Sequence, residues 1–529
     1  MSIPEEIRKV KRPVNTVVID NGTKTPFRYA VRARKGVRYV PGKCAQPIMG
    51  EVIGHIIDGV FVPKVAKTAV CGPQELSYAG AALIRDLSKD LKTDLLKCFP
   101  ADDAFAIMAI ASLRVLYPRI SCRRYSTHYL RSFISVFFPG ISISANSVCN
   151  LLKKVGIDTQ KRRDFYLLRM KSVTDSSHIA IDGTLVQDNS TINDLSKFSY
   201  KAKKKGCKEI SILYAFDIDK MEPICAEVFP GNNIDSTTYK SFIKNNKILK
   251  GTIITDKGFP VSKIKPVLED NPQLHYLTPI KRNDKRIEQY QMLDFQGVFS
   301  SKDASIYYKK HKLSDNSFLY SFRDPKLTAS EDFDFADRAN RKNDYDIETY
   351  NKKKDLFGVI VFESDLDATA EQIYRVYEDR WLLELVFKQY KRDLDLDISN
   401  VQGDYSVVGS EFINFIATII TCRIFKKANQ LDLFKNMSYG DLIDDLNSAW
   451  RKTAAPNQQP QSDDEYWVHT RPSVLKTLEK LGLSDPVEIT NQQERKKAGR
   501  PKKKPEFVGP KRSRGRPKKQ KSTISSLNY

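Results

Sequence analysis

The chain has 529 residues, room for about two to four domains, and its 41% hydrophobic and 10% aromatic content marks it as globular over most of its length. A formal charge of +23 favours polyanionic partners, nucleic acid or an anionic membrane face. The eight cysteines (44, 71, 98, 122, 149, 207, 225, 422) contain no C-x-x-C pair and the six histidines do not cluster, which excludes a zinc-finger or disulfide-framework reading and suits a reducing compartment.

The opening MSIPEEIRKVKRP carries no apolar signal core. Residues 1–65 are basic, with strand-like RYAVRA and GVRYVPG, and read as a small β-rich segment. From 66 to 172 the pattern turns helical, through ELSYAGAALIRDLSKDLKTDLL, DAFAIMAIASLRVLY and SANSVCNLLKKVG. The last has a Ser N-cap and follows the basic CRRYSTHYLRSF; it reads as a core helix or as a recognition helix, and the region is expected to serve DNA binding or dimerisation. The longest apolar runs, AFAIMAIASL (104–113) and FINFIATIIT (412–421), are too short to span a bilayer and read as buried helices. A soluble, cytosolic protein is expected.

Between 173 and 282 short strands alternate with helices: HIAIDGTLV, EISILYAFDID, EPICAEVFPG, the helical IDSTTYKSFIKNNKIL, then GTIITDKGF and LHYLTPI. This β-β-β-α-β-α-β order predicts a mixed α/β sheet with an acid on its first and fourth strands. A polar stretch with strand fragments, 283–355, reads as a β-rich insertion. The strand LFGVIVFES and a long helix follow within 356–430, further helices within 431–490, and a low-complexity basic tail, expected to be disordered, over 491–529.

The stretch YEDRWLLELVFKQYK (377–391) holds the chemistry-bearing pattern. On a helix at about 100° per residue, Tyr377, Arg380, Glu384, Lys388 and Lys391 fall within about 80° of one another. Alone, this is a solvated face laced by i,i+4 ion pairs, Arg380 with Glu384 and Glu384 with Lys388. Two strand-borne acids change its meaning. Asp182 interrupts the apolar run IAIDGT and Asp256 ends IITDKGF, and a buried carboxylate is costly unless it meets a metal, a cation or hydrogen-bond donors. Together with Glu384 they make three hard oxygen ligands, the set that a pair of Mg²⁺ ions needs for an in-line displacement at phosphorus.

The pattern Y-x-x-R-x-x-x-E-x-x-x-x-x-x-K, met by Tyr377, Arg380, Glu384 and Lys391, resembles the Y-R-E-K signature of one branch of bacterial insertion-sequence transposases, DDE enzymes with a ribonuclease-H-like fold. Trp381 and Lys388 agree with that branch, and IAIDGT and IITDKGF occupy the places of its two catalytic aspartates. The 128 residues between Asp256 and Glu384 (384 − 256) suit a branch with a β-rich insertion before the glutamate helix. The resemblance covers about 175–425. It implies that Asp182, Asp256 and Glu384 are catalytic and bind two Mg²⁺ or Mn²⁺ ions. It also implies that Arg380, Lys388 and Lys391 grip DNA phosphates, that Tyr377 hydrogen-bonds a phosphate, and that the enzyme pairs two double-stranded element ends as a homodimer before joining them to target DNA. A cytoplasmic, nucleoid-associated location in a bacterium goes with it. Lys257, Lys281 and Arg282 are further candidate DNA contacts, or else exposed solubility residues.

The tail repeats a G-R-P core in KAGRPKKK (497–504) and RGRPKKQK (514–521), which resembles AT-hooks. Gly499, Arg500 and Pro501, and Arg514, Gly515, Arg516 and Pro517, would lie in the narrow A·T minor groove, the first copy more weakly because Ala498 replaces the leading Arg. A generic basic tail is the plain alternative. Two other functions compete with the transposase reading: a non-catalytic binder of AT-rich DNA derived from a transposase, and a metal-dependent nuclease without strand transfer.

Overall fold

The computed structural model describes residues 3–22, 28–39, 45–63, 75–199, 206–233, 236–255, 261–301, 304–314, 317–342, 346–380, 391, 393–394, 396–452, 467–468 and 470–483. Helix α1 (Glu5–Lys9) precedes a four-stranded antiparallel sheet of β1 (Thr16–Asp20), β2 (Tyr29–Arg38), β3 (Gln46–Ile57) and β4 (Val60–Pro63), in that order. Its small core is Val18, Val31 and Ile56, covered by Ile3, Ile7 and Val10.

After β5 (Glu75–Ser77) come α2 (Ala79–Leu87), α3 (Lys89–Cys98), α4 (Ala101–Leu116), α5 (Tyr125–Leu130), α6 (Ile134–Phe137), α7 (Ala145–Ile157) and α8 (Thr159–Met170). Helix α4 is apolar on every side and buried along nearly its whole length, as a central helix must be. Sequence sets the ends of α7 and α8: the Ser144 hydroxyl accepts from the Ser147 N–H and the Asp158 carboxylate from the Lys161 N–H. SANSVCNLLKKVG therefore begins where its Ser N-cap predicts. Its inner face (Val148, Leu151, Leu152, Val155) is core.

The expected mixed sheet is present. Strands β6 (His178–Asp188), β7 (Lys197–Phe198), β8 (Lys208–Asp217) and β9 (Glu222–Pro230) are joined through α9 (Ser236–Asn245) to β10 (Gly251–Ile254), and through α10 (Val261–Glu269) to β11 (Leu274–Pro279). Spatial order is β9-β8-β6-β10-β11, with β8 antiparallel to β6 and β9, and β6, β10 and β11 parallel. This is the mixed α/β arrangement consistent with a ribonuclease-H-like transposase catalytic domain.

The insertion does not stand apart from this sheet. After α11 (Lys285–Gln289), β12 (Gly297–Ser301), β13 (Ala304–Lys312) and β14 (Phe318–Arg323) form a meander. Helices α12 (Pro325–Lys342) and α13 (Ile347–Lys353) then lead to β15 (Val359–Ser364), which bridges β14 to β11 antiparallel to both. The result is one eleven-stranded sheet. The 283–355 stretch is thus as helical as it is stranded. Polar α12 has no apolar stripe to reveal it in the sequence, and it is tied down by Glu331, which accepts from Arg282 (2.9 Å) and from the Gly358 N–H (2.9 Å).

Helix α14 (Ala370–Asp379), the short β16 (Ile398–Ser399) and α15 (Asp404–Gln430) follow. Helices α16 (Tyr439–Ser448) and α17 (Pro472–Leu481) and strands β17 (Trp450–Lys452) and β18 (Trp467–Val468) close the described chain, β17 pairing with β5. By length and composition α15 could cross a membrane, but 89% of its apolar stretch is buried inside the protein. FINFIATIIT is the middle of this longer core helix. The helices of 79–170, the sheet and α15 share one hydrophobic core. Two glycines let α7 and α15 touch backbone to backbone: a Cβ on Gly156 would fall 1.6 Å from the Tyr405 carbonyl oxygen, and one on Gly409 would fall 1.9 Å from that of Leu152.

A charge cluster at the edge of the core, with Arg169 buried, Glu222 and Arg423 half-buried and Asp90 exposed, ties the same helices to the sheet. Arg423 of α15 donates to Asp90 of α3 (2.6 and 2.8 Å) and to Glu222 of β9 (2.7 Å), and Arg169 of α8 donates to both acids. Burial pushes Glu222 up, yet the Arg423 hydrogen bond and the charges of Arg169 and Arg423 outweigh it, so its carboxyl lies below the usual range.

Candidate active site

Asp182 occupies the fifth position of β6, and its backbone pairs with Tyr214 of β8 on one side. On the other side the parallel ladder to β10 stops at Ala180–Ile254, and pairing resumes only where Gln187 and Asp188 meet Ile398 and Ser399 of β16. Among the described residues, Ile181 to Val186 have no ladder partner on that edge, which leaves a gap in the described ladder beside Asp182. While Ile179, Ala180 and Ile181 are fully buried, the Asp182 side chain is 25% exposed, enough to meet a ligand. One carboxylate oxygen accepts from the Gly183 N–H at 2.7 Å. Just past β10, Thr255 is fully buried and its hydroxyl bonds that of Thr278 at 2.9 Å.

Arg380 faces Asp182, its Nη2 3.5 Å from the Asp182 Oδ2. It arrives on α14, whose start is set by a capping box between Thr369 and Gln372. Ile373 and Tyr374 bury the helix against the sheet, with Tyr374 5.1 Å from Phe322 of β14 and 5.6 Å from Phe299 of β12. The inserted strands are therefore the platform from which α14 delivers Arg380. The guanidinium is buried, and an Arg so placed is held ready in one orientation as a charged donor.

Tyr377 packs its ring on Phe362 of β15 at 4.5 Å, half-buried one turn before Arg380. Lys391 is half-buried after the stretch 381–390. Lys281 is exposed after β11, whereas Arg282 is committed inside the fold, to the Val359 carbonyl (3.0 Å) and Glu331. Asp256, Lys257, Glu384 and Lys388 lie outside the described residues, as do the tail positions Gly499, Arg500, Pro501, Arg514, Gly515, Arg516 and Pro517.

Among the described residues no three His, Cys, Asp or Glu side chains converge as a metal site. The described donor is Asp182, a hard oxygen ligand on the edge of a gap, and its chemistry fits Mg²⁺ or Mn²⁺. Sequence reasoning set Arg380 against phosphate and missed its pairing with Asp182, because 198 residues separate the two (380 − 182) and no local pattern links them. It also missed the Asp90–Arg169–Glu222–Arg423 cluster for the same reason.

Residues 173–418 match the family model of the transposase DDE domain. No curated protein matches the sequence. Among solved structures, the chain is similar to one in a cryo-EM structure of the piggyBac transposase synaptic complex with hairpin DNA, at 11% identity over 80% of this chain and 90% of that one, with a TM-score of 0.37. So loose a likeness carries no conclusion about fold or reaction. The domain match supports a DDE transposase.

Proposed function

We propose that the chain cleaves and rejoins the ends of a mobile DNA element as a DDE transposase, with Asp182, Asp256 and Glu384 as its metal-binding carboxylates. The observation that carries the reading is the pairing of Asp182 with Arg380 beside the gap in the described ladder. It joins the first acid to the signature stretch through space. A second observation supports Asp256. Strand β10 pairs with β6 at an offset of 74 residues (252 − 178), and Asp256 follows Asp182 by the same 74 (256 − 182).

Two bound divalent ions supply Lewis acidity and an activated water or 3′-hydroxyl for attack on a phosphodiester. The chain's own part is positional. The Gly183 N–H fixes one Asp182 oxygen, so the carboxylate stays oriented toward the gap. Arg380 sets its positive charge against that carboxylate and offers a planar, bidentate donor to an incoming phosphate. Lys388, Lys391, Lys281, Lys257 and Tyr377 are assigned as further phosphate contacts. The helical region 66–172 serves end binding and dimerisation, and the tail adds AT-hook contacts to A·T-rich DNA.

Asp182→Asn tests the site. Its shape and its Gly183 contact survive, but one negative charge is lost, and Mg²⁺-dependent cleavage of end DNA is expected to fall roughly a thousandfold or more with duplex binding retained. Cleavage within about threefold of the unsubstituted protein would remove Asp182 from the chemistry.

A further inference from the structure

The N-terminal sheet has two unequal halves. Next to α1 it is four strands wide: β1 pairs with Tyr29–Ala33 of β2, and β4 pairs with Gly54–Ile57 of β3. Farther along, after the Arg34 N–H donates to the Asn15 carbonyl (2.7 Å), β2 and β3 continue as a pair among the described residues, through Arg34 opposite Met49, Gly36 opposite Ile48, Val37 opposite Pro47 and Arg38 opposite Gln46. Register shifts between Val31 and Gly36 separate the halves, and such irregularities bend and twist a strand pair. Beyond Arg34 the distal half is therefore a two-stranded ribbon, with both edges without a ladder partner among the described residues.

A lone two-stranded ribbon is marginal in water unless something packs on it, and this one exposes apolar side chains: Tyr39 is 81% exposed, Ile48 48% and Met49 45%. It also exposes Arg34, Lys35 and Arg38. None of these three makes an ion pair among the described residues, although the same sheet neutralises Arg28 with Asp20 at 3.1 Å. Glu51 is the acid nearest in sequence on the opposite strand, and it is exposed. The stem of Lys35 lies over Gly50, where an added Cβ would come within 3.2 Å of it, so the absence of a side chain there gives the lysine a flat bed. Three cations interleaved with an aromatic and two aliphatic side chains match a groove of duplex DNA better than a protein surface. Phosphates answer the cations, and sugars and thymine methyls answer the apolar groups. Five residues of β2 span roughly 17 Å, and a two-stranded ribbon fits the roughly 12 Å width of the major groove.

We infer that the ribbon Arg34–Tyr39 with Gln46–Met49 is a DNA-binding arm that lies in a groove of double-stranded DNA, distinct from the cleavage site and from the basic tail. This rests on the reading of the chain as a DNA-acting protein.

The test uses the full chain. Arg34→Ser/Lys35→Ser/Arg38→Ser should weaken duplex binding about tenfold or more at 0.1 M salt and lower the slope of log K against log salt by about 2 to 3, with the thermal midpoint unchanged. In a second protein, Tyr39→p-benzoylphenylalanine should crosslink to duplex DNA on illumination, and whether it does is independent of how the triple variant folds. Wild-type affinity and slope in the triple variant, or a crosslink only to a second copy of the chain, overturns the arm alone. Failure of the unsubstituted protein to bind duplex DNA overturns the DNA-acting reading and the arm with it.

Discussion

At the seam where α3, α8, β9 and α15 meet, Arg169 and Arg423 face Asp90 and Glu222, two cations against two anions. On the ribbon of β2 and β3, Arg34, Lys35 and Arg38 face solvent without an ion pair among the described residues. Both regions are rich in arginine, yet one holds the protein together and the other holds nothing within it. In the interior a charge needs a counter-charge or several hydrogen-bond acceptors, as Arg114 and Arg162 find in backbone carbonyls and a hydroxyl, because desolvation would otherwise dominate. At the surface an unmatched charge costs little and is available to a partner. In a chain of net charge +23, the cations of the ribbon are surplus held at the surface.

The sharpest way to break this comparison is Arg423→Ala. It leaves Asp90 and Glu222 sharing Arg169 alone, and the cost is expected at about 3 kcal/mol in urea unfolding. A loss under about 0.5 kcal/mol would mean that the seam is held by packing and its charges are incidental. Gly409→Ala follows. Its methyl group would meet the Leu152 carbonyl, and the lack of backbone freedom predicts a loss of about 1 to 3 kcal/mol, measured in the same way. An unchanged midpoint would show that α7 and α15 slide apart at no cost.

The smallest effect concerns Glu227 of β9, in a cavity lined by Arg162, Arg163, Tyr166 and Glu411. Burial raises its carboxyl above the ordinary range despite hydrogen bonds from Asn245 (3.1 Å) and Asn246 (3.3 Å). A raised folded value means that the folded state holds the proton more tightly. The stability it contributes is therefore complete below the unfolded value, near 4.3, and is lost as pH rises through the folded one. Glu227→Gln should then stabilise the protein at pH 7.5 and not at pH 4, the opposite sign to the depressed Glu222. Equal midpoint shifts at both pH values would refute the linkage.

Much of the sheet was legible because its signals are local. Apolar runs ended by turns gave the strand order, and the lone acid in IAIDGT gave Asp182 its strand. The N-cap at Ser144 likewise depends on a neighbour three residues away. What escaped depends on distant pairing. Nothing in VIVFES says that β15 will lie between β14 and β11, and nothing in the polar α12 says that Arg282 will anchor it through Glu331. The candidate site divides in the same way. Its residue types were readable one by one, but the meeting of Asp182 with Arg380 exists only in space.

The unbroken ladder from β12 to β6 has a mechanical side. Strands bonded edge to edge move together, so the meander of the insertion and β6 as far as Ala180 form one plate, with Asp182 two residues beyond the last bonded pair. Force applied to the outer meander, by a second protein copy or by taut DNA, would reach Asp182 as a change of twist. Because α14 rides on the same plate, Arg380 would travel with it and the pair would stay in register under load.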